Sequence, residues 1–219
     1  MKNKSIAVIG LGQFGLSMVE ELVKHDADLL VIDSNPDLVK KVSYLVPAAF
    51  VADATDEKAL RELDISRVDN AIVAFGNNIQ ATILTTVMLK ELGVKKITVR
   101  VDDEEYTPII KRLGADEILS PQRIAAISFA NRLESSSFLD YYLISDSFSA
   151  IKISVSSSFE KQLLSDIDPR NKFDCNIILI TRDNKTFAPK GHDLIQANDI
   201  IFVVGKSKDI EKLDKYLNK

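Results

Sequence analysis

A glycine-rich turn between two short apolar runs constrains the fold of this chain more than any other feature. Residues 5–33 have the sequence SIAVIGLGQFGLSMVEELVKHDADLLVID, in which the turn Gly-x-Gly-x-x-Gly leads into a segment with helical spacing. The apolar runs before the turn and at residues 29–32 are too short for helices and favour buried strands. The order strand, turn, helix, strand predicts the start of a parallel sheet.

The three glycines of this turn each meet a different requirement of nucleotide binding. Gly10 permits a sharp turn after the strand, Gly12 leaves the backbone open to a pyrophosphate, and Gly15 lets the helix pack close to the strand. The helix N-terminus presents free N–H groups to phosphate. Asp33, roughly 18 residues after Gly15, can accept hydrogen bonds from ribose hydroxyls and disfavours the 2′-phosphate of NADP. A tight turn without a ligand is the alternative interpretation.

Strand and helix signals keep alternating after Asp33. Short apolar runs at residues 48–52, 70–75, 96–101 and 117–119 predict strands, and the segments between them have capping residues and helical spacing. This alternation predicts an α/β domain with a Rossmann-like, doubly wound parallel sheet and helices on both faces.

Polar groups lie at several of the predicted strand ends, where ligands of such sheets bind. Asp53 and Thr55 are expected to reach a base or ribose, and Asn77 the phosphates. For Thr55 a helix cap is the alternative interpretation. The nucleotide site predicted from these positions consists of Gly10, Gly12, Gly15, Asp33, Asp53, Ala54, Thr55, Gly76 and Asn77.

The second half of the chain has a different pattern. One more helix is predicted from Ser120 to about Leu133, with apolar residues on two sides that suit a dimer contact. The polar break at residues 134–137 predicts a boundary between a nucleotide-binding domain at residues 1–134 and a second domain at residues 135–219. The latter is expected to be a small α+β domain, with a last strand that Gly205 ends and a C-terminal amphipathic helix.

Composition excludes several classes of protein. The chain of 219 residues is 46% hydrophobic, enough for a substantial core, and its net charge of −4 predicts no nucleic-acid partner. No apolar run approaches the roughly 18 residues that span a bilayer, and the N-terminus lacks an apolar signal segment. The single cysteine, Cys175, fits a reducing compartment and is expected to be buried. We therefore expect a cytoplasmic protein.

Several motifs together resemble a known family. They are AVIGLGQFG at residues 7–15, NIQATILTT at 78–86, KELG at 90–93, LGAD at 113–116 and DIIFVVG at 199–205. The chain resembles the cytoplasmic regulatory subunit of Ktr/Trk-type bacterial potassium-uptake systems, with RCK N-terminal and RCK C-terminal domains. The resemblance implies a non-enzymatic homodimer that assembles into an octameric ring beneath a membrane-embedded potassium channel subunit. It also implies that ATP and ADP hold the ring in different shapes and gate K⁺ flux, and that NAD(H) binds some members.

Two residues depart from the family pattern that this resemblance supplies. Gln13, beside Phe14 in the nucleotide site, stands where relatives usually have an arginine that reaches the terminal phosphate of a neighbouring subunit's ATP. Gln122 stands where relatives often have a glutamate that helps to hold a cation, such as Mg²⁺ bound with ATP. The loss of both charges predicts a weaker preference for the triphosphate. Arg100 and Lys111 are candidate substitutes.

The resemblance also implies a second site, because the C-terminal domain dimer of several relatives binds cyclic di-AMP. Arg170 can pair with phosphate and the isoleucines can contact adenine. The alternative is a surface charge beside core isoleucines. The residues of this chain that match the site are Ile167, Asp168, Arg170, Asn176, Ile177 and Pro189.

Two other functions fit the glycine-rich turn less well. An NAD-dependent oxidoreductase needs a proton donor near its substrate, but His25 and His192 are expected to be solvated surface residues. An NADH-sensing repressor needs a basic DNA-reading helix, and the Lys/Arg residues form no such cluster. We therefore expect that the chain is not an enzyme and does not bind DNA.

Overall fold

The computed structural model describes residues 4–25, 27–145 and 147–219. These residues form two compact units, the first extending to Arg123 and the second beginning at Ile124. Each unit has its own sheet and its own hydrophobic core. The two are therefore described separately.

The first unit contains a six-stranded parallel sheet in the order β3-β2-β1-β4-β5-β6. Its strands are β1 (Ser5–Ile9), β2 (Asp28–Asp33), β3 (Ala49–Val51), β4 (Asn70–Val73), β5 (Ile97–Arg100) and β6 (Glu117–Leu119). Its helices are α1 (Gln13–Lys24), α2 (Pro36–Val42), α3 (Glu57–Glu62), α4 (Ile79–Glu91) and α5 (Thr107–Arg112). The predicted doubly wound sheet is confirmed. Its order reverses between β1 and β4, which opens a crevice at the carboxyl ends of those strands.

The sheet of the first unit is covered on both faces, as its apolar strands require. Successive residues of β1 point to opposite faces, so Ile9 joins a core cluster with Ile32 and Val73, while Val8 joins a second cluster with Val31. The crevice therefore lies at strand ends that are buried, at Val8 and Ile9 in β1 and at Ile72 and Val73 in β4.

The second unit contains a five-stranded antiparallel sheet in the order β11-β10-β13-β8-β7 and a two-stranded pair, β12-β9. Its strands are β7 (Phe138–Leu143), β8 (Phe148–Ser154), β9 (Gln162–Leu163), β10 (Cys175–Arg182), β11 (Lys185–Phe187), β12 (Leu194–Ile195) and β13 (Ile200–Lys206). Its helices are α7 (Leu164–Ile167), α8 (Pro169–Phe173) and α9 (Ser207–Leu217). Ile210, Leu213 and Leu217 of α9 pack against Ile151 and Val203 of the sheet. The predicted small α+β module is confirmed.

The border between the units lies inside helix α6 (Pro121–Glu134), whereas the sequence analysis places the domain boundary after Glu134. The difference arises because Ile127 packs on the core of the second unit and the Ser128 hydroxyl donates to the Tyr141 carbonyl oxygen at 3.0 Å. The helix is not buried on two sides within the single chain, since Phe129 and Leu133 are 57% and 72% exposed.

The prediction that Gly205 ends the last strand is wrong. It lies within β13 and pairs with Cys175 of β10. A Cβ built on Gly205 would lie 2.6 Å from the Cys175 Cβ. Glycine is therefore needed here for the close approach of two strands, and the strand continues to Lys206.

Candidate nucleotide-binding site

The glycine-rich turn joins β1 to α1 in the crevice. Gly10 has φ +97°, a region that side chains rarely adopt, and its N–H donates to the Ile32 carbonyl oxygen at 2.8 Å. A Cβ on Gly15 would lie 1.9 Å from the Gly10 oxygen, so only glycine lets α1 come this close. A Cβ on Gly12 would have no atom within 4 Å. The chain is thus tight at Gly10 and Gly15 and open to a ligand at Gly12.

Asp33 lies at the carboxyl end of β2, next to the turn. Its carboxylate accepts hydrogen bonds from the Leu11 N–H at 2.5 Å and the Asn35 N–H at 2.7 Å. These two bonds fix a half-buried carboxylate beside the open Gly12. A carboxylate held in this way is suited to accept hydrogen bonds from the hydroxyls of a ribose.

A cleft of about 280 Å³, called the base-side cleft below, extends from Asp33 across the ends of β2 and β3. Apolar side chains of Ile32, Ala54 and Phe75 face polar groups of Asp33 and Asp53, a combination that suits a flat base attached to a sugar. The residues that line this cleft are Ile32, Asp33, Ser34, Ala52, Asp53, Ala54, Thr55, Phe75, Asn78 and Ala81.

Thr55 orients Asp53 and does not cap the following helix. Its N–H and its hydroxyl donate to Asp53 Oδ1 at 2.9 and 2.7 Å, and these hydrogen bonds lower the pKa of Asp53. The cap of α3 is Asp56, whose Oδ1 accepts from the Lys58 N–H at 2.9 Å. Asp53 therefore stays ionised at neutral pH beside the cleft.

Buried Thr85 of α4 supports the same loop from behind. Its hydroxyl donates to the Ala54 carbonyl oxygen at 3.0 Å. The sequence analysis did not single out Thr85, since a threonine within a helix gives no signal of a partner 31 positions earlier. The bond ties the base-side cleft to the helix that packs against β4.

A second cleft of about 270 Å³ lies beyond β4 and β5. Gly76, with φ +63°, turns the chain after β4. The Asn78 side chain accepts from the Ala81 N–H at 3.1 Å and begins α4. The residues that line this cleft are Gly76, Asn77, Ile79, Arg100, Val101, Asp102, Asp103 and Tyr106.

This second cleft contains Arg100, which the sequence predicts only as a candidate substitute for the missing arginine. Its guanidinium forms two hydrogen bonds of 2.8 Å with the Asp102 carboxylate and lies over the Phe14 ring, 5.3 Å from the ring centroid. Gln13 is exposed at the start of α1, and Lys111 is exposed on α5. The structure therefore brings Arg100 to the glycine-rich turn.

The donor set near this cleft does not suit Mg²⁺. Gln122 offers an amide where a hard cation prefers a carboxylate, and both oxygens of Asp102 are bound to Arg100. Within residues 4–25, 27–145 and 147–219, no three His, Cys, Asp or Glu side chains are grouped as a metal site would require.

The six residues matched to a cyclic di-AMP site differ in their burial. Ile167 is fully buried and Ile177 nearly so, and both belong to the core of the second unit. Asp168, with φ +46°, accepts two hydrogen bonds of 2.9 Å from the Asn171 amide. The remaining matched residues are accessible: Arg170 and Asn176 are exposed, and Pro189 is half-buried.

These features define a Rossmann-type α/β domain followed by a small antiparallel domain. The TrkA-N domain model matches residues 6–121, and the TrkA-C domain model matches residues 148–218. Ktr system potassium uptake protein C of Bacillus subtilis (strain 168) is 36% identical over 97% of this chain and 96% of its own length. Ktr system potassium uptake protein A of the same strain is 32% identical, covering 98% and 97%. The chain belongs to this family of Ktr potassium-uptake proteins.

Solved structures share the fold at low sequence identity. The GsuK RCK domain aligns with a TM-score of 0.68 and 13% identity, covering 100% of this chain and 48% of the other. A GsuK channel with NAD bound aligns with a TM-score of 0.67 and 14% identity. The chain thus spans about half of the GsuK RCK structure. In the part of the chain that the structure describes, no helix is long and apolar enough to cross a membrane.

Proposed function

We propose that this chain is the cytoplasmic, non-enzymatic gating subunit of a potassium-uptake system and that nucleotide binding in its first unit controls K⁺ flux. The family supports the association with potassium uptake, since the relatives are Ktr system potassium uptake proteins. The observation that carries the nucleotide role is the open Gly12 beside the fixed Asp33 carboxylate. Together they offer one position for a pyrophosphate and one for a ribose.

Gating would follow from binding alone, without a chemical step. A ligand that fits one shape of the regulatory assembly better than another shifts the population toward that shape. A shift from 1:99 to 99:1 requires about a 10⁴-fold difference in affinity between the shapes. The two clefts are lined by residues of the loops after β2, β3, β4 and β5, so several loops would respond to one bound molecule.

The proposed ligands are ATP, ADP or NAD(H), which share an adenosine and a pyrophosphate. The base-side cleft and Asp33 fit the adenosine, and the turn at Gly12 fits the pyrophosphate. NAD is bound by the GsuK channel, which has the same fold. Gln13 and Gln122 offer neither the positive nor the negative charge that the family resemblance associates with the triphosphate.

The proposed assembly is a homodimer that builds an octameric ring under the membrane partner. Helix α6 supports it, because Ile124, Phe129 and Leu133 are exposed apolar side chains on one helix. Light scattering of the purified chain measures its mass. A substitution Leu133→Asp is expected to reduce that mass, whereas a monomeric wild-type chain would contradict the proposal.

Calorimetric titration with ATP, ADP and NADH, each with and without Mg²⁺, tests the ligand. We expect that ATP binds no more tightly than ADP, because Gln13 and Gln122 lack the charges that would favour the triphosphate. Tight, Mg²⁺-dependent preference for ATP would contradict this expectation, and turnover of NADH with a substrate panel would contradict the non-enzymatic role.

Potassium uptake tests the gating. Cells without their own uptake systems would express the membrane subunit of the same Ktr system with or without this chain. Uptake should change when the chain is present and should lose its nucleotide dependence in Gly12→Ala. Equal uptake with and without the chain would contradict the proposal.

Cyclic di-AMP is proposed as a second regulator, bound by the C-terminal domain dimer. The exposed Arg170 and Asn176 support it, since an arginine can pair with a phosphate. The buried Ile167 is expected to shape the fold there and not to contact adenine through its side chain. Titration of the wild-type chain and of Arg170→Ala with cyclic di-AMP tests this site; equal binding by both would exclude the arginine.

A further inference from the structure

The cleft beyond β4 and β5 contains a rigidly held arginine. Arg100 is 12% exposed and its partner Asp102 is 20% exposed. Nε donates to Asp102 Oδ1 and Nη2 to Asp102 Oδ2, both at 2.8 Å, in a bidentate geometry. With its amide oriented to satisfy both neighbours, Gln122 accepts from Arg100 Nη2 at 2.5 Å and donates to Asp102 Oδ1 at 2.8 Å.

This network leaves part of the guanidinium available. An arginine has five N–H donors, of which Nε supplies one and Nη2 two. Asp102 and Gln122 engage those three. Within residues 4–25, 27–145 and 147–219, the two N–H groups on Nη1 have no hydrogen-bond partner.

Nη1 of Arg100 lies next to Gly76, which turns the chain after β4. Gly76 makes room for it: a Cβ built there would lie 3.3 Å from Nη1 and 3.2 Å from Cζ of Arg100. The guanidinium also lies over the ring of Phe14, which belongs to the first turn of α1. The charge is therefore held at the glycine-rich turn, between the loops after β1 and β4.

The charged side chains that line the two clefts indicate a specific role for Arg100. Among the described residues that line them, Arg100 is the one cation; Asp102 and Asp103 line the same cleft, and Asp33 and Asp53 line the other. The α1 N-terminus adds only about half a positive charge. Each added phosphate group brings further negative charge to this acidic environment.

We propose that Arg100 binds the nucleotide phosphates through Nη1 and that Asp102 limits how many phosphate charges the site accepts. The inference rests on the nucleotide role proposed above and deepens it. Held by Asp102, Arg100 offsets the charge of a diphosphate, and the Asp102 carboxylate opposes a third phosphate. The site thus discriminates by phosphate number without the arginine that Gln13 replaces.

A ladder of ligands with increasing phosphate number tests the proposal. Adenosine, AMP, ADP and ATP are titrated without divalent cations into the wild-type chain, Arg100→Met and, as a matched control, Arg112→Met on the exposed side of α5. Arg100→Met is expected to raise the Kd for ADP on the order of tenfold or more and to leave that for adenosine unchanged. Arg112→Met is expected to match the wild type throughout.

Asp102→Asn supplies the opposite test. It keeps a side chain of the same size but removes the opposing charge, so the ratio of ATP to ADP affinity should rise by about tenfold. Arg100→Lys preserves a charge and serves if Arg100→Met does not fold, which its melting curve would reveal. It should retain part of the ADP affinity.

The remaining outcomes test separately the role of Arg100, the role of Asp102 and the nucleotide role proposed above. An equal loss of adenosine and ADP affinity in Arg100→Met and Arg100→Lys would show a structural role and overturn the inference. An unchanged ATP-to-ADP ratio in Asp102→Asn would overturn the role of Asp102. Absence of binding of all four ligands by the wild-type chain would overturn the proposed nucleotide role, and the inference with it.

Discussion

Three glycines that share one motif differ in what a side chain at each would meet. A Cβ on Gly15 would collide with the backbone of Gly10, whereas a Cβ on Gly12 would meet nothing in the described chain. Gly12 also has φ −62°, which any residue adopts. At the scale of single residues, folding therefore requires Gly15, whereas Gly12 is required only by the proposed ligand binding.

Gly15→Ala and Gly12→Ala should separate stability from binding. Gly15→Ala is expected to lower the free energy of unfolding by on the order of 3 kcal/mol, because the methyl group would force α1 away from Gly10. Gly12→Ala should keep the wild-type stability and raise the Kd for ADP at least tenfold, on the order of 1.4 kcal/mol. Urea unfolding and calorimetry measure the two effects. A stable Gly15→Ala variant would contradict the packing argument.

Cys175 is a buried residue with a pH signature. Burial raises the pKa of its thiol to about 12, and its Sγ donates to the Pro169 carbonyl oxygen at 3.8 Å. Because the thiol pKa is higher in the native state than the unfolded value of 9.0, the protonated thiol contributes fully to stability below pH 9. This contribution is lost as pH rises toward 12.

Iodoacetamide labelling should report this protection. We expect no labelling of the native chain at pH 8 and one labelled thiol in urea. Cys175→Ala should show a smaller loss of stability than the wild type between pH 9 and pH 12, and this comparison corrects for other titrating groups. Rapid labelling under native conditions would show an accessible thiolate.

Helix α4 connects the two clefts at the scale of elements. It begins at the Asn78 cap beside both clefts and supports Ala54 through Thr85 in its middle. Thr82 and Thr86 are also buried and donate to helix carbonyl oxygens four positions earlier. Among these three threonines, only Thr85 donates its hydroxyl to a residue outside the helix and its cap, the loop residue Ala54.

Thr85→Val should therefore weaken both stability and binding. The isosteric change leaves the Ala54 carbonyl oxygen without its donor, which should cost about 1–3 kcal/mol of unfolding free energy. The Kd for adenosine should rise, because Ala54 lines the base-side cleft. Thr85→Ser keeps the hydroxyl and is expected to behave like the wild type. If Thr85→Val and Thr85→Ser bind adenosine equally, the positioning role is wrong.

At the scale of the whole molecule, the chain has two units with separate cores. Apolar residues of the parallel sheet form clusters on its two faces, and a third cluster fills the antiparallel unit. The positions proposed for base, ribose and phosphate all belong to the first unit. Each unit is therefore expected to unfold as its own cooperative step.

Scanning calorimetry should resolve this organisation. ADP at 100 times its Kd is expected to stabilise the first unit by about 2.7 kcal/mol and to raise its Tm, while the transition of the second unit stays in place. Cyclic di-AMP should do the reverse. A single transition that moves with either ligand would contradict independent unfolding.

Local pattern in the sequence determined much of this protein. The period of the apolar runs and the turn chemistry of Gly10, Gly15 and Asp33 predict the parallel sheet, because these signals act between residues close in the chain. The order of motifs also sufficed to predict the family, which the relatives confirm.

The tertiary structure alone decided which distant residues meet. The order β1-β4-β5 brings Arg100 over Phe14 and beside Gly76, and the close pairing of β10 and β13 explains why Gly205 lies inside a strand. Likewise, because Ile127 packs on the core of the second unit, the border between the units lies within α6 and not after Glu134. Such contacts depend on strand order and helix packing, which no short-range period encodes.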